Sequence, residues 1–430
     1  LPVLIVLGFA MVGTFMALIM TRRLSALVAL IVVPLAFGIL AGHGADLGKM
    51  AIAGITALAP TATLLLFAVL YFSVMIDAGL FDPLVRRAIR FAAGDPVRVA
   101  IATALVALIV SLDGDGATTA LVTITAFLPL YRRLGMNPMI LAVLLGSANS
   151  IVNLAPWGGP TGRVAAALHL DPADIFVPLI PAMIAGMAAT MLIAWYLGRR
   201  ERLRLGIADS SSQPVDAGDR DREAGLARPR LMIVNLLLTL VVLGAAIGRL
   251  LPLPIVFMVG LSLALVLNYP AVALQRQRLA AHAANAMPIV LLILAAGIFT
   301  GVLQGTGMVD AMAGGAVAAT PPALGPWLGP VTALLSAPFT FALSNDAYYF
   351  GVVPVIARAA AEYGIAPATI ARASLLGAPV HGLSPLVAAI YLVSGLIERE
   401  VGAMQRFGLP WACLLTLVLI AVAAATGAIL

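Results

Sequence analysis

The sequence predicts an all-α polytopic membrane protein made of two inverted repeats, each with a re-entrant hairpin and a broken helix. Three observations predict it. The chain is 62% hydrophobic and 10% charged, with a mean hydropathy of +1.08, whereas a soluble domain carries about 25% charged residues. Apolar stretches long enough to cross a bilayer recur along the whole chain. The two halves also carry polar interruptions at matching places.

Spans are expected at about 2–20, 24–42, 51–78, 173–198, 231–250, 252–270, 286–309 and 409–429. Leu1–Met20 is followed, not preceded, by Arg22-Arg23 and shows no clear cleavage pattern. It reads as a first span rather than a signal peptide, and the missing Met at residue 1 reads as trimming. Two further apolar blocks, 99–130 and 331–357, are too short for two crossings and have a polar stretch in the middle. A re-entrant helical hairpin fits each. After each hairpin comes a helix interrupted by Gly and Pro, 139–168 and 368–397. Irregular backbone at membrane depth is tolerated only where it is buried in protein or lines a cavity. Residues 199–230 are charged and rich in Ser, Asp and Gly. They read as a cytoplasmic linker between a first repeat, 1–198, and a second, 231–430.

Charge placement supports this layout. With the first terminus outside and each hairpin returning to its own side, all but five of the 25 basic residues fall in cytoplasmic loops. The exceptions are Lys49, Arg249, Arg358 and Arg372 outside, and Arg163 at membrane depth. This is the positive-inside bias. The net charge of +6 and pI near 9.9 therefore reflect loop arginines facing an anionic leaflet, not a nucleic-acid partner. The single cysteine, Cys413, excludes an internal disulfide and a cysteine metal site.

The halves match at several points. Met75-Ile76-Asp77-Ala78 resembles Met308-Val309-Asp310-Ala311, Asp115 aligns with Asp346, and Gly135 and Pro138 align with Gly364 and Pro367. Leu145-Gly146 aligns with Leu376-Gly377. The first hairpin enters from inside and the second from outside, so the repeats are inverted. Secondary transporters are often built this way, with the site at the repeat interface.

The polar interruptions carry the chemistry. An Asp at the bilayer centre costs roughly 2.5–3.5 kcal/mol on insertion scales, so such residues face a cavity and bind something. In Ser111-Leu112-Asp113-Gly114-Asp115-Gly116 the glycines let the backbone turn sharply and the two carboxylates converge. Oxygen ligands of this kind suit a hard divalent cation, and Thr118 and Thr119 add hydroxyls. Ser344, Asn345 and Asp346 offer the matching set in the second hairpin. Asp113, Asp115 and Asp346 are thus candidate metal ligands; a helix-cap or hairpin-turn role is the structural alternative.

The first broken helix contains Asn153, Pro156, Gly158, Gly159, Thr161 and Arg163. Its prolines and glycines unwind it, and the freed amides beside the next helix N-terminus form an anion site. Arg163 either grips a substrate carboxylate in a two-pronged fork or neutralises a site Asp. Trp157 reads as packing. The second break, with His381, Gly382 and Ser384, is the counterpart. His381 either binds substrate or shuttles a proton, or packs through a hydrogen bond. Asp77 and Asp310 read as helix caps, and Tyr348 and Tyr349 as packing. Three carboxylates repel a free polycarboxylate, so a divalent cation carried with the anion resolves the conflict.

Leu112-Asp113-Gly114-Asp115-Gly116, Pro156-Trp157-Gly158-Gly159-Pro160-Thr161 and Ser344-Asn345-Asp346-Ala347-Tyr348-Tyr349-Phe350 resemble the bacterial citrate–metal symporter family, CitMHS, of the ion transporter superfamily. The resemblance extends over essentially the whole chain. It implies uptake of citrate complexed with a divalent ion such as Mg2+ or Ca2+, driven by protons, across a bacterial inner membrane. It also implies a homodimer with a scaffold domain and a transport domain that moves as an elevator. Sodium–dicarboxylate relatives carry Ser-Asn-Thr at both hairpin tips. This chain departs from them at Asp113–Asp115 and Asp346. The alternative function is a proton- or sodium-coupled di- or tricarboxylate carrier without obligate metal. A membrane aspartyl hydrolase using Asp115 and Asp346 is a reading from another class, which symmetric hairpins do not require.

Overall fold

The structure is a computed structural model that describes residues 2–92, 94–114, 116–206, 226–319 and 321–430. Asp115 and most of the expected linker lie outside the described residues. Every regular element among them is helical. The first repeat runs α1 (Pro2–Met20), α2 (Ala26–Leu40), α3 (Leu47–Asp77) and α4 (Asp82–Ala92). Then come the hairpin arms α5 (Pro96–Val110) and α6 (Gly116–Leu134), the broken helix α7 (Pro138–Val152) and α8 (Gly159–Leu168), the short α9 (Pro172–Phe176), and α10 (Ile180–Leu205). The second repeat opens with α11 (Met232–Ile247), α12 (Leu253–Asn268), α13 (Val272–Gly305) and α14 (Met308–Ala319). Its hairpin is α15 (Leu328–Ala342) and a π-helix, Ala347–Val352, that runs into α16 (Val353–Ala361). The broken helix is α17 (Pro367–Leu375), α18 (Ala378–His381) and α19 (Ala388–Ile397), and α20 (Val401–Ala425) closes the chain.

Local chemistry sets these boundaries. Asp95, Asn137 and Asp171 each precede a proline and accept a hydrogen bond from the amide two residues on, at 3.0, 3.0 and 2.8 Å. That is an N-cap with Pro at the first helical position. At 15 residues, α15 is about 22 Å long, short of the roughly 30 Å hydrocarbon core, whereas α5 with the turn that follows it, Pro96–Asp113, is 18 residues and apolar enough to cross. Among the described residues, seven helices are long and apolar enough to cross a membrane. The outward side chains of α11, including Leu236, Leu237, Leu240 and Val241, suit contact with lipid.

Two expectations need correction. Helix α13 begins at Val272, not near 286, because Gln275-Arg276-Gln277-Arg278 are good helix formers that carry it beyond its apolar part. Its polar end has a task. His282 Nε2 lies 2.7 Å and Arg278 Nη1 3.5 Å from Asp77 Oδ2. Asp77 therefore does not cap a helix; it ties the end of α3 to α13. Its counterpart Asp310 likewise accepts from Arg358 Nε at 2.6 Å and joins α14 to α16.

The repeats interleave. Helices α3 and α13 are packed along their lengths, α2 lies on α13, and α12 lies on α3. Small residues allow the close approach. A Cβ on Gly54 would overlap the Gly297 carbonyl oxygen, and one on Gly301 the Met50 carbonyl oxygen. A second group packs α5, α7, α10 and α20 together, and α8 touches both α3 and α13. The second hairpin and second break touch α8, and the first hairpin tip is held against the first break.

Candidate substrate-binding site

At the first hairpin tip α5 gives way to one 3-10 turn, Ser111–Asp113. Gly114 closes it at φ 75°, a left-handed conformation that glycine adopts without strain. Asp113 is buried, as are Ser111 and Thr119, whose hydroxyls find no hydrogen-bond partner. Thr118 is half-buried. Asp115 lies outside the described residues. Among those described, no three His, Cys, Asp or Glu side chains are grouped to hold a metal ion.

The first break, residues 153–158, wraps this tip. Trp157 is buried and stacks near Phe72 and Phe257, with centroids 5.5 and 5.1 Å away. Its indole N–H donates to the Leu112 carbonyl at 2.9 Å and so pins the break to the hairpin. Gly158 is needed because a Cβ there would overlap the Asn153 carbonyl oxygen. Pro156 is buried within the turn, and Thr161 donates to the Leu154 carbonyl at 3.0 Å. Asn153 stands one turn beyond Asn149, a residue that the sequence reading passed over. Both amide oxygens are buried without a partner. They border the tip: a Cβ on Gly116 would lie 3.1 Å from Asn149 Nδ2, and one on Gly114 3.9 Å from Asn153 Oδ1.

Arg163 connects the two repeats. Its Nε donates to Asp346 Oδ1 at 2.7 Å, and the two side chains are only 16% and 15% exposed. A Cβ on Gly159 would come within 2.9 Å of Arg163 Nη1, so the guanidinium folds over the first turn of α8. The helix N-terminus already concentrates partial positive charge there. Asp346 is the carboxylate placed against both.

At the second tip Ser344 Oγ accepts the Ala347 amide at 3.2 Å and starts the π-helix. Asn345 Oδ1 and the Tyr348 hydroxyl are buried without a partner. Tyr348 and Tyr349 are buried in contact with each other, as expected for packing. A π-turn inside a helix often marks a functional site.

The second break abuts this tip. His381 Nδ1 lies 2.6 Å from the Thr340 carbonyl oxygen. A carbonyl only accepts, so Nδ1 carries the proton and Nε2 of the neutral ring is an acceptor. Ser384 donates to the Phe341 carbonyl at 2.7 Å and accepts from the Leu386 amide at 3.2 Å. Its hydroxyl proton is engaged in the fold. A Cβ on Gly382 would sit 3.2 Å from Ser150 Oγ, so the break lies on α7.

These contacts form a closed ring: first tip to first break, α8 to second tip, second tip to second break, and second break to α7. Its parts carry the Arg163–Asp346 pair, the buried Asp113, and buried amide and hydroxyl oxygens without a hydrogen-bond partner. Buried polar atoms are nearly always satisfied, so the unpaired atoms at the two tips and the first break are candidate contacts for a polar guest. The sequence signal for Asn149 was its spacing of four from Asn153, which puts both amides on one helix face.

Comparison with known proteins identifies the family. The chain is 52% identical over 417 residues to a citrate transporter of Bacillus subtilis (strain 168), covering 97% of each chain. It is 44% identical over 429 residues to that organism's Mg(2+)/citrate complex secondary transporter, covering 99% of each. Two solved structures share the fold at low identity. One is the YdaH transporter of Alcanivorax borkumensis, at TM-score 0.60 and 16% identity over 89% of this chain and 88% of that one. The other is MtrF of Neisseria gonorrhoeae, titled as illuminating a class of antimetabolite efflux pumps, at TM-score 0.58 and 15% identity over 89% and 84%. The CitMHS citrate transporter profile matches residues 15–377, and the chain belongs to that family.

Proposed function

We propose that this protein is a secondary transporter that imports citrate complexed with a divalent metal ion, with protons as the coupling ion. The names of its relatives support citrate and Mg2+. The observation that carries the reading is the Arg163–Asp346 pair, with the unpaired amide oxygen of Asn345 beside Asp346 in sequence. Removing one partner of a buried ion pair leaves the other uncompensated, at about 3–5 kcal/mol. A bare anion that takes Arg163 strands Asp346, and a bare cation that takes Asp346 strands Arg163. A metal–citrate complex brings both signs at once. Its carboxylate replaces Asp346 on the arginine fork, and its metal receives the released Asp346. Asp113, with Asp115 beside it in sequence, supplies further oxygen to the metal. The unpaired amide oxygens of Asn149, Asn153 and Asn345 ligate the metal or accept the citrate hydroxyl, and their amide N–H groups donate to the remaining carboxylate oxygens.

On this reading the group containing both hairpins and α8 is the moving transport domain of an elevator, and α1–α3 with α11–α13 form its scaffold. The apolar outer faces of the scaffold are where a second copy would pair. The test is uptake of radiolabelled citrate into proteoliposomes over a panel of divalent ions, at varied inward proton gradients. Uptake that needs a divalent ion and rises with the proton gradient supports the reading. Full uptake in chelator supports the metal-independent carboxylate carrier instead. Uptake with metal that ignores the proton gradient leaves the metal complex and removes the coupling.

A further inference from the structure

We propose that an arginine-lined pocket at the linker end of α10 binds the headgroup of an anionic phospholipid. The pocket measures about 850 Å³ and lies between the start of α7, the end of α10, and the α19–α20 turn. That is in the range of about 300–1,000 Å³ typical of ligand sites. Arg200, Arg204, Arg399 and Arg406 line it, against one acid, Glu201. Glu201 is buried and fully engaged. It accepts the Asn137 amide at 3.0 Å and a two-pronged contact from Arg204 at 3.0 and 2.7 Å. Arg204 also donates to the Gly135 carbonyl at 2.7 Å. The pair is therefore a fixed wall of the pocket.

The other three arginines are exposed, and no acidic side chain is paired with them among the described residues. The acid beside Arg399 is taken: Glu398 pairs with Arg132 at 2.9 Å. Arg200 acts electrostatically on Glu201 from beside it, while Arg399 and Arg406 have no acidic partner among the described residues. Guanidiniums gathered round one cavity with a single, already engaged acid favour an anion that joins them. Arginine forks suit phosphate oxygens.

The position of the pocket selects the source of that phosphate. Five residues before Arg200, Trp195 stands exposed, with Arg199 over its ring at 5.5 Å. Five residues after Arg406, Trp411 meets the exposed Tyr196 with centroids 5.6 Å apart. Exposed Trp and Tyr mark the headgroup level of a bilayer. Toward the membrane side, Leu192 on α10 and Leu414 and Leu417 on α20 are exposed, giving acyl chains an apolar wall. The pocket thus begins where a headgroup sits, at the end of the bundle that carries the arginines and reads as cytoplasmic. Basic pockets between helices on this side hold anionic headgroups. The lipid would bridge α7, α10 and α20.

The test uses the full chain in nanodiscs of equal phosphatidylglycerol and phosphatidylcholine, with retained lipid counted by native mass spectrometry after release into detergent. The pocket variant is Arg200→Gln/Arg399→Gln/Arg406→Gln. The control is Arg86→Gln/Arg87→Gln/Arg90→Gln, which removes the same charge from α4 at the same end. Thermal melts establish that both fold. Phosphatidylglycerol retention should fall at least threefold in the pocket variant and by less than half of that in the control. Equal retention in wild type and pocket variant, or an equal fall in both variants, would overturn the site. Displacement of phosphatidylglycerol from wild type by 10 mM inorganic phosphate, added at constant ionic strength, would overturn the lipid assignment in favour of a soluble phosphate.

Discussion

At the scale of single residues, the account turns on which polar groups already have partners. Arg163 and Asp346 are paired, so Arg163→Ala should both abolish citrate uptake and destabilise the protein by about 3–5 kcal/mol. Arg163→Ala/Asp346→Ala should regain most of that stability and none of the uptake. A melting series at matched detergent reads the first effect, and a transport assay the second. Asn149 and Asn153 differ because their amide oxygens have no protein partner. Asn149→Ala and Asn153→Ala should leave the melting temperature nearly unchanged and weaken binding of the metal–citrate complex by about 10-fold or more. Each loses an amide oxygen that can ligate the metal and an N–H that can donate to a carboxylate, a hydrogen bond to a charged group. Calorimetry on variants of unchanged stability checks this. Arg163 and the aspartates were legible in the sequence because charge at depth is costly. That Arg163 and Asp346 would be each other's partner was not legible, since 183 residues separate them. Asn149 was missed because an uncharged amide in an apolar helix barely alters hydropathy.

At the scale of elements, the hairpins and breaks were readable because glycine and proline punctuate them. The first break was expected within 139–168 and occurs at 153–158, where α7 stops and α8 starts. The π-helix at Ala347–Val352 contains one glycine, Gly351, but nothing in its composition distinguishes it from an α-helix. Nor did hydropathy reveal the polar start of α13, whose fixed partner is Asp77. The α3–α13 contact was legible in principle as Gly297-Ile298-Phe299-Thr300-Gly301, a pair of glycines one turn apart. Gly54→Val or Gly297→Val should destabilise by at least ~2 kcal/mol, because the added carbons meet backbone that cannot move aside. Gly146→Ala, with nothing within 4 Å of the new Cβ, should be neutral or stabilising by up to about 1 kcal/mol. Thermal unfolding of the three variants compares them directly.

At the scale of the whole molecule, the same order of elements in both halves and the interleaving of α2 with α13 and α12 with α3 fit inverted repeats around one site. Opposite hairpin exposure follows. With Cys413 replaced by Ser, a cysteine at Arg132 should label from the cytoplasm and one at Arg358 from outside. Labelling of both from one face would contradict the inversion. The central claim is that cation and anion are bound together because each alone strands half of the Arg163–Asp346 pair. Titration calorimetry of the purified protein with citrate, in excess Mg2+ and then in chelator, tests it most directly. The account predicts saturable binding with metal and at least ~100-fold weaker binding without it, the fold-change that matches about 3 kcal/mol of uncompensated charge. Equal affinity under both conditions would contradict it.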